Sequence, residues 1–179
     1  MVRWYVLQVT TGQETGVRDA LQTLGIRAAV PREERAIRSG ADGIGLFRSE
    51  FLYMQRQDGF PDEQVQTAAY ARAAELCGGR PLVIRTLDIG GDKSLPYYRF
   101  PEEENPFLGW RAIRVSLELR DMFRTQLRAI LRASARGGVR VMFPMIVSLA
   151  ELRDALALLE ECKEELRRQE REHILSSYS

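Results

Sequence analysis

Three arginines and one glycine-rich turn carry the chemistry this sequence can do. Arg48 follows the apolar run Gly43 to Phe47, Arg85 follows Pro81 to Ile84, and Arg111 stands beside the start of a helical segment that follows a long loop. The two apolar runs predict strands, so Arg48 and Arg85 fall at or just past strand C-termini, the edge of an α/β protein where ligands bind. Guanidinium groups stay charged and present planar forks of donors that match phosphate and carboxylate oxygens. Three brought together make a receptor for a small polyanion. Mutual repulsion in an empty site weighs against a purely structural cluster, whereas an arginine taken singly more often pairs with a surface carboxylate. The run Gly90-Gly91-Asp92-Lys93 would add backbone amides and, through Lys93, an ammonium group. By itself this run reads as a turn, because it lacks the spacing of a phosphate-binding P-loop; Gly40, Gly43 and Gly45 likewise fail the dinucleotide fingerprint.

Other reactive groups offer less. His173 is the single histidine and lies in a polar C-terminal stretch near Ser176 and Ser177, so it reads as solvated, and nothing around it has metal-ligand spacing. Cys77 and Cys162 stand too far apart for a zinc or redox motif and read as idle thiols of a reducing compartment. With 26 basic and 25 acidic residues the formal charge is +1, so bulk electrostatics make no case for a nucleic-acid or membrane-surface protein. Any anion site is local. The composition, 45% hydrophobic and 28% charged, is that of a soluble domain able to build a core. No apolar run reaches the length of a membrane span, and Met1 to Trp4 leads into an alternating segment rather than a signal-peptide core. The expected location is the cytoplasm.

The elements that must position the arginines alternate between strand and helix. Trp4 to Val9 reads as a strand; Thr11 and Glu14 have capping-box spacing ahead of an apolar stripe through Val17, Ala20, Leu21 and Leu24; Ile26 to Val30 reads as a second strand. A charged stretch after Pro31 ends at Ser39-Gly40, where the character of the sequence changes. Beyond it come the strand Gly43 to Phe47, a loop, and a helix from near Pro61-Asp62 to Gly78-Gly79. Next are the strand Pro81 to Ile84 and a long loop with Pro96, Pro101 and Pro106. One helix is expected through Ile113, Leu117, Leu127, Ile130 and Leu131 to Gly137-Gly138, followed by a strand over Val139 to Ile146. Ser148 and Glu151 form another capping box, opening a helix with Leu152, Leu156 and Leu159 inward and a charged, solvated outer face. Such alternation implies parallel βαβ units, and periodicity leaves barrel and open sheet both open.

Four segments, in order, resemble a known family. The segment from Gly40 to Met54 is similar to the part of Enzyme I, of the bacterial sugar phosphotransferase system, in which an arginine before Thr-Glu-Phe grips the phosphate of phosphoenolpyruvate (PEP); here that arginine is Arg48, followed by Ser49 where threonine is usual. Val83 to Lys93 resembles the next arginine-bearing strand and loop, which makes Arg85 a second phosphate contact and Lys93 its neighbour. Glu103 to Arg114 resembles a third signature, whose ligand-binding arginine falls on Arg111, and Val141 to Ile146 resembles the following barrel strand. The Gly-Gly-Asp-Lys form favours Enzyme I over its relatives pyruvate phosphate dikinase and PEP synthase. The resemblance implies an α/β fold, a partial (β/α) barrel of about three strands preceded by a β-α-β segment. It also implies a PEP-dependent phosphotransferase that passes the phosphoryl group to a histidine on a separate domain, with Mg²⁺ neutralising charge, a phosphocarrier protein as acceptor and a homodimer partner. The family's two acidic Mg²⁺ ligands, proton-donating cysteine and phosphohistidine domain have no counterpart in the sequence, so a PEP-binding part without independent turnover is expected.

Residues 1–38 look different. Trp4 to Val9, Gly12-Gln13-Glu14, the helix through Leu24 and Pro31 to Glu34 resemble the opening strand, helix and strand of a NusG-type transcription-factor domain, which would imply RNA polymerase as a partner. The expected organisation is therefore a β-α-β fragment over 1–38, a partial barrel over 39–168 and a polar tail over 169–179. A NusG-like elongation or antitermination fragment, or a nonfunctional fusion, are the alternatives to the phosphotransferase reading.

Overall fold

The structure, a computed structural model, describes residues 41–90, 95–98 and 109–176, with side chains to residue 170. Contact density divides the chain into Met1–Ala41 and Asp42–Ser179, and every element named below belongs to the second unit. The expected strands and helix of residues 1–38 lie outside the described residues, as do Lys93 and the side chain of His173.

Three parallel strands, β1 (Ile44–Arg48), β2 (Leu82–Arg85) and β3 (Val139–Met142), form one sheet in the order of the chain. Parallel neighbours require crossovers, and helices supply them. Between β1 and β2 run α1 (Glu50–Met54) and α2 (Glu63–Cys77); between β2 and β3 run α3 (Ile113–Glu118) and α4 (Arg120–Ser134); α5 (Leu149–Ser176) follows β3. The sheet and its crossovers suit a partial PEP-binding barrel; the three strands do not close one. Arg48 pairs in register with Arg85, and Arg85 with Met142, so all three strands end at one level.

Local chemistry sets several boundaries. Asp62 caps α2 by accepting a hydrogen bond from the Val65 amide at 2.8 Å, and Gly78 ends it in the left-handed region at φ 58°. Ser148 Oγ accepts from the Glu151 amide (3.2 Å) while the Glu151 carboxylate accepts from the amides of Val147 and Ser148 (2.8 and 3.1 Å), a closed capping box. Gly43 is held by sterics: its φ is +152°, and a Cβ there would stand 2.3 Å from the Pro81 carbonyl oxygen, which accepts the Ile44 amide.

Four expectations need correction. The loop expected after β1 contains α1, a five-residue helix whose Tyr53 is fully buried and whose Leu52 and Met54 pack beside it. The single helix expected from Ile113 onward is two, broken at Leu119 (φ −86°, ψ 59°), so that Val115 and Met122 join one apolar cluster with Tyr53, Leu87 and Ile89 while Ile113, Phe123 and Leu127 join another. The third strand stops at Met142 rather than Ile146, because the ladder ends with β2 at Arg85, Pro144 has no amide to donate and Met145 turns to φ 57°. On α5 the inward residues are Ala155, Leu158 and Cys162, with Leu159 packed alongside; Leu156 is 45% exposed. The helix also runs on to Ser176, past the start of the polar segment at Gln169.

The charged face of α5 is only partly a solvated surface. Arg124 pairs with Glu161 (3.0 Å) and Glu165, and Arg128 with Glu165 (3.2 Å), stitching α4 to α5. Arg128 and Arg132 also reach Glu63 on α2. Burial works to raise the Glu63 carboxyl, but hydrogen bonds from Arg128 and Arg132 and their charges outweigh it and hold it below its usual value. Such part-exposed pairs add register between helices more than net stability.

Behind the sheet lies a buried polar spine. The hydroxyls of Tyr53 and Tyr70 both donate to Gln66 Oε1 (3.1 and 3.0 Å), and Gln66 Nε2 donates to the Pro61 carbonyl (2.8 Å). Burial pushes both phenols up, with hydrogen bonding opposing it. A raised folded-state value keeps the phenol neutral in the fold, so this contribution to stability is complete below about pH 10 and is lost as pH climbs above it. Thermal melts followed by circular dichroism should therefore show a midpoint that falls from about pH 10 upward, less steeply in Tyr53→Phe; a flat profile for both would contradict the buried placement. Cys77 and Cys162 are both buried, and burial pushes the Cys162 thiol up to about 11, which suits an unreactive thiol.

Candidate anion-binding site

β1 and β2 each end in an arginine, and the ladder puts Arg48 and Arg85 side by side at the C-terminal edge of the sheet. Two guanidiniums on adjacent strands repel, and the fold answers with carboxylates. Glu50, on the first residue of α1, is fully buried; one of its oxygens lies 3.6 Å from Arg48 Nε and also accepts a short hydrogen bond from Arg85. Arg85 reaches Asp88 with its other terminal nitrogen at 3.1 Å. Asp88 in turn accepts from Arg111 at 3.2 Å, with 9% of its side chain and 8% of that of Arg111 exposed.

Arg48, Glu50, Arg85, Asp88 and Arg111 thus form one continuous chain of alternating charge. Among the described residues, three guanidiniums in it face two carboxylates. Exposure falls along it, from 29% for the Arg48 side chain through 17% for Arg85 to 8% for Arg111, so solvent reaches the first two and Arg111 forms the interior end. Arg48 is further steadied by stacking over the Phe51 ring, 5.1 Å from its centroid.

Arg111 arrives by a different route, from the loop between β2 and α3. The Ala112 amide donates to the Ile89 carbonyl at 2.9 Å, and Gly90 lies so close that a Cβ on it would meet Arg111 Cβ at 2.8 Å and the Trp110 carbonyl oxygen at 2.9 Å. Gly90 has φ +116° and Ala112 has φ 52°, so the backbone on both sides of this contact sits in conformations that L-residues avoid.

The three sequence-identified arginines are therefore brought together, while Lys93 lies outside the described residues. Glu50 and Asp88 were missed. Their signal is the carboxylate two residues after Arg48 and three after Arg85, which spacing alone cannot tell from a surface pair. Gln126 on α4 was also missed, and no local pattern marks it: its Nε2 donates to Ser49 Oγ (3.0 Å) and to the Tyr70 hydroxyl (3.1 Å), and its Oε1 accepts from the Leu87 amide (2.9 Å).

Residues 19–176 match the family model described as PEP-utilising enzyme, PEP-binding domain. The chain belongs to this family. Its match begins inside the stretch that resembles a NusG-type start, so the two likenesses overlap over residues 19–38. Among curated relatives, the phosphoenolpyruvate-protein phosphotransferase of Geobacillus stearothermophilus is 59% identical over 134 residues, 75% of this chain and 23% of that protein. The protein of the same name from Haemophilus influenzae is 54% identical over 136 residues (76% and 24%), and that from Priestia megaterium 50% over 147 residues (82% and 26%). The chain thus spans about a quarter of the length of the relatives it matches. For a PEP-binding domain, an arginine chain at the C-terminal edge of parallel strands is the arrangement that a small ligand with a phosphate and a carboxylate calls for.

Among the described residues no group of three His, Cys, Asp or Glu side chains could hold a metal ion, and the two acids at the site, Glu50 and Asp88, are engaged by guanidiniums. These residues do not fit a resident Mg²⁺. Nor, among the described residues, is any helix long and apolar enough to cross a membrane.

Proposed function

We propose that this chain is the PEP-binding part of a PEP-dependent phosphotransferase, with Arg48 and Arg85 holding the phosphate and Arg111 holding the rest of the substrate and the charge that develops on it. The observation that carries this reading is the unbroken chain Arg48–Glu50–Arg85–Asp88–Arg111 at the strand ends of a domain that belongs to the PEP-binding family. Bidentate donors aimed at phosphate and carboxylate oxygens supply positioning and electrostatic stabilisation, which is most of what a protein contributes to phosphoryl transfer. Glu50 and Asp88 hold the forks apart and aimed before the ligand arrives, so little reorganisation accompanies binding.

The relatives' shared name gives a protein as the phosphoryl acceptor in this reading; the family resemblance adds a histidine on another domain as the acceptor group, a phosphocarrier protein downstream and a homodimer partner. Lys93, which lies outside the described residues, is a further candidate contact by the family resemblance alone. In this reading Mg²⁺ is held by ligands other than the described residues, so the contacts of Arg48, Arg85 and Arg111 with PEP do not depend on it. The NusG-like reading is not favoured: it rests on residues 1–38, whereas Arg48, Arg85 and Arg111 all come later in the sequence, inside the stretch that matches the PEP-binding family.

Titration calorimetry with PEP tests the proposal. Saturable binding is expected, weakened at least about tenfold in Arg48→Ala, the loss of roughly one charge-assisted contact. Equal affinity in the variant and the unmodified chain would overturn the assignment of Arg48.

A further inference from the structure

The side-chain amide of Gln126 joins the two strand ends that carry the anion receptor. Ladder pairing between β1 and β2 ends at Arg48 and Arg85, so the segments just beyond, Ser49-Glu50 and Thr86-Leu87-Asp88, are not held together by sheet hydrogen bonds. Gln126 spans that gap from the helix side. It donates to Ser49 Oγ at 3.0 Å and accepts from the Leu87 amide at 2.9 Å, and it is fully buried. Ser49 lies between Arg48 and Glu50; Leu87 lies just before Asp88 and two residues after Arg85. One planar group therefore braces the two segments that carry Glu50 and Asp88, just past the last ladder pair.

Its orientation is fixed by chemistry. The Leu87 N–H can only donate, which places Oε1 against it and turns Nε2 toward the two hydroxyls of Ser49 and Tyr70. Tyr70 accepts from Gln126 and donates to Gln66, so the direction of every bond follows from the first. Met122, Phe123, Leu127 and Ile130 on the same helix are buried around it, and an amide in such surroundings is stable only when its donors and acceptor are all met.

We propose that Gln126 is a positioning residue of the PEP receptor: by tying Ser49 to Leu87 it holds in place the neighbouring Glu50 and Asp88, the carboxylates that aim the Arg48 and Arg85 forks at a ligand with two anionic ends. The inference rests on the PEP-binding reading above. A receptor tuned to a two-ended anion is sensitive to small displacements of its forks, whereas a single phosphate follows whichever fork it meets. Loss of the amide therefore changes selectivity, and loss of a hydrogen bond elsewhere in the same network changes stability alone.

The test is calorimetric titration with PEP and with inorganic phosphate, alongside thermal melts, on the unmodified chain, Gln126→Met and Tyr53→Phe. Gln126→Met keeps length and shape but removes all three hydrogen bonds; Tyr53→Phe removes one bond at the far end of the network, where its hydroxyl meets Gln66. Expected is a fall of about tenfold in PEP affinity for Gln126→Met, with phosphate affinity changed less than about threefold. Tyr53→Phe should keep the PEP affinity of the unmodified chain while melting lower. Gln126→Glu keeps the acceptor facing Leu87 and loses the donors facing Ser49 and Tyr70; it carries the same expectation should the methionine variant fail to fold. An unchanged ratio of PEP to phosphate affinity in the Gln126 variants, or an equal loss in Tyr53→Phe, would overturn the role of Gln126 alone. Absence of PEP binding in the unmodified chain would overturn the receptor and this role with it.

Discussion

Replacing Arg85 with alanine is expected to abolish measurable PEP binding and to destabilise the domain by about 3 kcal/mol, the penalty of removing the guanidinium that two buried carboxylates share. Arg85 is the middle of the ion-pair chain, bonded to Glu50 on one side and to Asp88 on the other. Glu50 is fully buried, and with Arg85 gone it would keep Arg48 Nε at 3.6 Å. The two effects can be separated. In the double variant Arg85→Ala/Glu50→Gln the buried charge is removed together with its partner, so much of the lost stability should return while PEP binding stays absent. Denaturant titration and calorimetry on the single and double variants measure both quantities. Recovery of PEP binding in the double variant would show that Arg85 does not contact the ligand, and no recovery of stability would show that Glu50 is not held by charge.

A substitution without any charge should be nearly as damaging. Gly90→Ala would place a methyl group 2.8 Å from Arg111 Cβ and 2.9 Å from the Trp110 carbonyl oxygen, in a residue whose φ of +116° alanine resists. The nearest obstacles are backbone atoms and the root of a side chain, none of which can rotate away. Either the loop after β2 moves, taking Arg111 from Asp88, or the Ala112–Ile89 hydrogen bond opens. The expected result is a loss of about 2–3 kcal/mol in stability, from the strained backbone and the overpacking together. PEP affinity should fall about tenfold or more, since a displacement near 1 Å is enough to unmake a bidentate contact. The readout is again a denaturant titration beside a PEP titration. Gly45, whose Cβ direction is open, serves as the comparison, and Gly45→Ala should leave PEP binding intact. Equal behaviour of the two alanine variants would contradict the close approach of Gly90 to Arg111.

How much of this was legible in the sequence depends on whether the determining interactions are local. The strand runs ahead of Arg48 and Arg85, the Asp62 cap, the Gly78 stop and the Ser148/Glu151 box are each decided within a few residues, and each is found where spacing put it. The arginines themselves could be picked out because a strand C-terminus is a place with a meaning. The carboxylates could not: Glu50 and Asp88 acquire their role only when β1 and β2 lie side by side. The five residues of α1 carry no helical period, and their helix is held by Tyr53 burying its ring and by the loop residue Tyr97, whose hydroxyl reaches the Tyr53 carbonyl at 3.0 Å. The break at Leu119 has no glycine or proline to announce it; it lets each of the two helices add side chains to both apolar clusters. The spacing of Leu152, Leu156 and Leu159 suits one inward stripe, yet Ala155, Leu158 and Cys162 are the residues of α5 that are fully buried. Gln126 is the extreme case, since its partners are 77 and 39 residues away in sequence.

Those distant contacts bear on how the site behaves. Arg48 and Arg85 stand on the last ladder pair of the sheet, and side chains from α1, α4 and the segment after β2 hold their forks from beyond it. A receptor supported in this way is set by the interior as much as by its own residues, which is why a buried amide and a glycine are expected to matter to a ligand that neither touches.

The central claim, that Arg48, Arg85 and Arg111 act together on one ligand, is tested most directly by titrating the unmodified chain with PEP and with inorganic phosphate under the same conditions. Binding of PEP at least about tenfold tighter than phosphate is predicted, the gain expected when a second anionic group meets its own charged partner. Equal affinities, or no saturable binding of PEP, would contradict it.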